Sequence, residues 1–177
     1  MIRFPEAALI VVALAVRLLV ARAMPLIEAD GAYWCSLAGD LARGDFAHGL
    51  SSAWPPLFPA SVALMTRALE SCGVTPGPAT LEWAARLVSA LAGTLLLLPL
   101  GVIASRLLPR PAVAVTVLIA AVHPRLVEYS AAALSESLFG LMMVGGVAAL
   151  VLAEAGTSAP PPPAAIGRGS EAAIARL

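Results

Sequence analysis

Acids flanking long apolar runs are the residues of this chain best placed to do chemistry. Asp30 closes the cluster Glu28-Ala29-Asp30, just after the first apolar run. A carboxylate at a membrane surface is costly unless it is exposed, paired or functional. Held there, Asp30 could take a proton from an acceptor hydroxyl, or hold a divalent cation (Mg or Mn) together with Glu28. It could equally be the N-cap of a helix that follows it. Ser135-Glu136 opens a later apolar run, and Glu136 has the same two readings: a catalytic acid, or a helix-start acid favoured by the macrodipole. Glu128 lies between them, so Glu28, Asp30, Glu128 and Glu136 could all converge at one water–membrane boundary. His123 and Arg125 belong to the same stretch, where an arginine could meet a phosphate. No apolar run carries an acid deep in its middle, as a proton-relay transporter normally needs. The set therefore favours an enzyme over a channel or transporter.

The elements that must position these groups follow from composition. Of 177 residues, 60% are hydrophobic and 12% charged, and the mean hydropathy is +0.90. Soluble domains run about 45–50% apolar and about 25% charged. That excludes an ordinary soluble globule, a disordered tail and a nucleic-acid binder with a basic surface. All eleven basic residues are arginine, eleven acids balance them, and net charge says nothing about partners. The missing lysines and abundant alanine suggest a GC-rich bacterial genome. Cys35 and Cys72 form no CxxC pair, and two distant histidines complete no zinc pattern. The cysteines could pair on an oxidising side or remain two idle thiols.

The periodicity and apolar length predict an all-α polytopic membrane bundle of about four spans, over residues 5–23, 82–108, 111–127 and 131–154. The third is apolar for only a short stretch before His123-Pro124-Arg125, so it must continue past that proline or cross a thinned region. The first resembles a signal peptide in length and in Ala21-Arg22-Ala23, but Glu6 and Arg17 favour a retained span. Loop charge sets the orientation. The loop 24–81 carries Arg43 and Arg67 against five acids, whereas the next turn carries Arg106 and Arg110 with none. With a cytoplasmic N-terminus, four spans leave the acidic loop outside and the arginine turn inside.

The acidic outer loop is too polar to span and too apolar for a free linker. Tyr33, Leu37 and Leu41 give one helical face, with Gly44 as its stop. After Trp54-Pro55-Pro56, the positions Phe58, Val62, Met65 and Leu69 form a second stripe, with Thr66 and Arg67 opposite and Gly73 ending it. Such amphipathic helices suit the membrane interface, and Trp34 and Trp54 suit that depth. They could also be mere caps on the spans. Gly145-Gly146 is expected to permit close helix contact. Residues 156–177 read as a proline-rich linker (Pro160 to Pro163) and a truncated tail.

The ordered set carries a family likeness. It runs from Asp30 and Tyr33 through Leu41-Ala42-Arg43-Gly44-Asp45 and Trp54-Pro55-Pro56-Leu57-Phe58-Pro59 to Ala85-Arg86-Leu87-Val88-Ser89-Ala90-Leu91-Ala92-Gly93. His123-Pro124, Tyr129-Ser130 and Ser135-Glu136 complete it. Over residues 1–155 this resembles the N-terminal part of GT-C membrane glycosyltransferases of the protein-mannosyltransferase and aminoarabinose-transferase type. The resemblance implies transfer of a sugar, with inversion, from a polyprenyl-phosphate donor to a lipid, glycan or protein hydroxyl. The reaction would take place at the extracytoplasmic face of a bacterial inner membrane, among membrane lipids. It implies Asp30 as base or cation ligand, with the helices around Tyr33 and after Trp54 shaping the donor cavity. This chain departs from the family pattern in having Glu28-Ala29-Asp30 in place of adjacent acids, and Trp54 where some relatives carry a lysine. Arg67 or Arg125 is then left to meet the phosphate. Family members have more spans, so a fragment, a truncated gene product or half of a split enzyme is expected, inactive without the rest. The alternatives, a non-catalytic scaffold or a small transporter component, predict no sugar transfer.

Overall fold

The computed structural model describes residues 4–25, 27–51 and 54–157, so the linker and tail expected beyond 157 lie outside the described residues. Among the described residues there are nine helices and no strand. They are α1 (Phe4–Ala23), α2 (Ala29–Ala42), α3 (Phe46–Gly49), α4 (Leu57–Ser71), α5 (Pro78–Leu95), α6 (Leu97–Leu107), α7 (Arg110–Val122), α8 (Pro124–Ala131) and α9 (Glu136–Thr157). The all-helical reading holds.

Two helices are long and apolar enough to cross a membrane: Pro78–Leu107, which joins α5 to α6, and Glu136–Glu154 within α9. The bent pair α7–α8 makes a third if it is one span, with 49° between its halves. The expected boundaries shift accordingly. The second span begins at Pro78, ahead of Glu82, and the last begins at Glu136, after Ser135 rather than at Ala131. Leu108 and Ala132 adopt extended backbone and end the preceding helices.

Proline explains most of these breaks. Pro99 has no N–H for the carbonyl of Leu95 and its ring crowds that carbonyl, so the rod breaks between α5 and α6 at Leu96. Backbone bonds from Leu96 to Ala92 and from Leu100 to Leu96 keep the rod continuous across the break. His123 precedes Pro124 and is driven out of the helical region (ψ 122°), which bends α7 into α8. Pro78, Pro111 and Pro124 each sit in a first helical turn, where a missing N–H costs nothing.

The rod is the centre of the bundle and α9 its periphery. In the most apolar stretch of each, 44% of the rod is buried and 11% of α9. Helix α5 packs against α1, α2, α4, α8 and α9, while α6 packs against α7 and α9. The larger core gathers Trp34, Leu37, Phe58, Val62, Ala85 and Val88 at the α2–α4–α5 junction. A smaller one joins Ala13, Leu97, Ala120 and Ala121. Both are rich in alanine, which lets helix axes approach closely.

Several local expectations are corrected. In α2 the buried residue is Trp34, not Tyr33, which is 44% exposed; Leu37 keeps its inward place. In α4 the stripe turns to include Thr66, whose hydroxyl donates to the carbonyl of Val62, and Arg67 remains outside. Nothing lies within 4 Å of a Cβ built at Gly145 or Gly146, so neither serves a close contact among the described residues. Gly44 and Gly73 do stop their helices, at φ of 85° and 89°.

Two buried arginines organise the bundle. Arg86, 6% exposed, donates from Nη1 to the carbonyls of Ala21 and Met24 (3.0 Å to the latter) and from Nη2 to Glu82. The last carbonyls of a helix lack intrahelical donors. Arg86 on α5 therefore caps α1 from outside, at the negative end of its dipole. Arg17, 1% exposed, donates from Nη1 to Ala13 and Ala121, tying α1 to α7.

Candidate functional site

The start of α2 builds the main site. Asp30, Tyr33 and Trp34 stand three and four residues apart, so they share one side of the helix. Gly31 lets that turn seat against the chain ahead of α9. A Cβ there would lie 2.8 Å from the carbonyl oxygen of Ala133. Trp54 reaches the same place from the segment before α4. Its ring meets Trp34 edge-on at 5.6 Å, and Trp34 in turn meets Phe58 at 6.0 Å and Tyr33 at 6.0 Å. Asp30, Tyr33, Trp34 and Trp54 line an open cleft of about 230 Å³. Trp34 is its buried floor; Asp30, Tyr33 and Trp54 are its exposed walls.

Asp30 is not the N-cap of α2. That position belongs to Glu28, which makes no side-chain cap bond, while Asp30 falls inside the first turn. The aromatic residues thus surround a solvent-facing carboxylate with neither an ion-pair partner nor a capping bond among the described residues. Chemically, the cleft offers flat apolar faces beside one acceptor. That combination suits a ligand with both C–H faces and hydroxyls.

The four acids share no single cavity. Glu136 lines a different cavity, of about 130 Å³, between α1, α5, α8 and α9, with Arg17, Gly93, Tyr129 and Ser137. Glu128 is engaged by Arg125 at 3.0 Å on the exposed side of α8. Glu28 is exposed one residue before α2, and Arg67 is exposed on α4; neither lines either cavity. No group of three His, Cys, Asp or Glu that could hold a metal occurs among the described residues. A protein-built cation cage is therefore absent there. The residues present fit only a cation that takes one or two carboxylates and completes its shell with ligand phosphate and water, as Mg does.

Both cysteines are free thiols. Burial first, then the negative charge of Glu82, pushes the Cys35 thiol up to about 11, against the opposing influence of Arg86. Cys72 is exposed at the end of α4. Asp45 accepts from the backbone N–H of His48 and faces its ring at 2.7 Å, which holds its carboxyl below the usual range.

Sequence reasoning missed Arg17 and Arg86 as organising groups, having searched the apolar runs for acids alone. The signal was present. An arginine inside an apolar run must find partners or a function. Comparison with family models, with characterised proteins and with solved structures finds no match to this chain.

Proposed function

We propose that this chain is the sugar-handling part of a membrane glycosyltransferase that uses a polyprenyl-phosphate donor at the extracytoplasmic face of a bacterial inner membrane. The observation that carries the reading is the cleft in which the Asp30 carboxylate meets Tyr33, Trp34 and Trp54. Aromatic faces complement the C–H faces of a pyranose, and the carboxylate complements its hydroxyls or those of the acceptor. In an inverting displacement, the acceptor oxygen bonds to the anomeric carbon as the carbon–oxygen bond to phosphate breaks. Asp30 takes the acceptor proton. Arg67, exposed on α4, is the arginine left for the departing phosphate, because Arg125 already pairs with Glu128. Glu136 faces another cavity and has no part in this step. A divalent cation on Asp30, with Glu28 assisting, would neutralise charge on the leaving phosphate.

The same reading counts four spans. Helix α1 has 20 residues, about 30 Å at 1.5 Å per residue, which matches a hydrocarbon core. The pair α7–α8 then counts as one broken span, and α2 to α4 lie along the outer interface.

The test is sugar transfer from a polyprenyl-phosphate donor in membranes containing the full chain, alone and with its co-purifying membrane proteins. Asp30→Asn is expected to lower transfer about 100-fold or more without loss of insertion. Trp54→Ala is expected to raise the donor concentration needed while leaving a measurable rate. Undiminished transfer in Asp30→Asn overturns the reading. So does a chain that supports no transfer in either preparation, which would make it an accessory scaffold.

A further inference from the structure

The cavity between α1, α5, α8 and α9 holds a buried arginine that makes no ion pair among the described residues, although Glu136 is also in its lining. Arg17 is 1% exposed, and its two bonds, to the carbonyls of Ala13 and Ala121, both leave from Nη1. Its Nε is buried with no acceptor among the described residues. None of the ion pairs there includes Arg17. A guanidinium keeps its charge in a protein, and a buried charge is costly until something of opposite sign meets it. Arg17 and Gly93 both line the cavity of about 130 Å³, and the close seating of Ser130 of α8 against Gly93 forms the wall next to Arg17 Nε.

A second feature points the same way. Helix α9 starts at Glu136, and Glu136 and Ser137 line this cavity. The first N–H groups of a helix have no intrahelical acceptors and sit at the positive end of its dipole. The volume, about 130 Å³, far exceeds the ~10–15 Å³ that one water needs. Leu96 and Leu126 make the remaining wall apolar, and the flanking Phe139 and Met143 on α9 are 66% and 55% exposed.

We propose that this cavity binds the oxyanion head of an amphiphile: Arg17 and the α9 N-terminus hold the head, and the tail lies along the apolar faces of α8 and α9. Glu136 stands at the rim as a like charge that weakens the site. The inference does not rest on the glycosyltransferase reading, since the aromatic cleft lies elsewhere.

The experiment measures thermal unfolding of the full chain in neutral detergent with dodecyl phosphate, inorganic phosphate or dodecanol added. Dodecyl phosphate is expected to raise Tm, and dodecanol is not. An equal rise with inorganic phosphate at the same concentration still supports the anion site and names a free phosphate as its source. Arg17→Gln is expected to abolish the rise. Glu136→Gln, at an exposed position that tolerates change, is expected to lower the dodecyl phosphate concentration needed by severalfold. Should Arg17→Gln fail to fold, the Glu136→Gln and dodecanol comparisons decide. No rise in the native chain, an equal rise with dodecanol, an unchanged rise in Arg17→Gln, or weaker binding in Glu136→Gln each overturns the proposal.

Discussion

Arg86 shows how one side chain can fix a junction that no local sequence rule predicts. Its guanidinium closes the carbonyl end of α1 and pairs with Glu82 one turn away. Replacing it with methionine leaves the carbonyl of Ala21, a residue with no exposed surface, without that donor. An unsatisfied buried polar group costs about 1–3 kcal/mol, and two carbonyls are involved. Arg86→Met is therefore expected to destabilise the chain by about 2–3 kcal/mol, read as a drop of several degrees in Tm in detergent. Arg86→Lys is expected to recover part of the loss, because an ammonium reaches one carbonyl and not the whole set. At this scale Asp30, Tyr33 and Trp54 could be picked out from residue type alone. Trp34, and not Tyr33 of the expected stripe, is the buried floor of the cleft, because burial depends on which helix α2 meets and not on its own periodicity.

Among the elements, the pair α5 and α8 is the tightest constraint. A Cβ at Gly93 would lie 2.3 Å from the Cβ of Ser130, which is no flexible side-chain end. Gly93→Ala must push the helices apart. Overpacking of this kind costs about 1–3 kcal/mol. The expected outcome is a lower Tm, together with a changed response of the Arg17 cavity to dodecyl phosphate. Gly145→Ala, where nothing lies within 4 Å, is expected to leave Tm unchanged or slightly raised. The sequence reading assigned close contact to Gly145-Gly146 and gave Gly93 no part in packing. Two adjacent glycines in an apolar run look like a packing motif, but a glycine matters only where another helix arrives. Helix stops were easier to read, since Gly44 and Gly73 act through their own backbone conformation, whereas the break that Pro99 makes in the rod and the bend that Pro124 imposes through His123 appear only in the structure.

For the whole molecule, loop charge assigns the face of the membrane that each end of the bundle is expected to meet. The four-span reading puts α4 outside and the Arg106–Arg110 turn inside. A membrane-impermeant maleimide applied to intact cells at pH 7.5 is therefore expected to label Cys72. A Ser105→Cys reporter in a chain lacking Cys72 is expected to react only after lysis. Cys35 is expected to stay silent in both, because a thiol raised to about 11 remains protonated at pH 7.5 and gains thiolate only as pH climbs toward that value. Labelling of the Ser105→Cys reporter in intact cells would invert the topology. The sequence by itself determined the all-helical architecture, the presence of stretches long and apolar enough to span a membrane, and the stops of α2 and α4. These follow from composition, 3.6-residue periodicity and the backbone freedom of glycine, all of which act over short stretches of chain. The tertiary structure alone decided that Asp30 shares a cleft with Trp34 and Trp54 while Glu136 does not. It also decided that two arginines are sealed within the bundle. Those outcomes depend on how helices far apart in sequence meet, and at such contacts burial, charge and the absence of a single Cβ are resolved together.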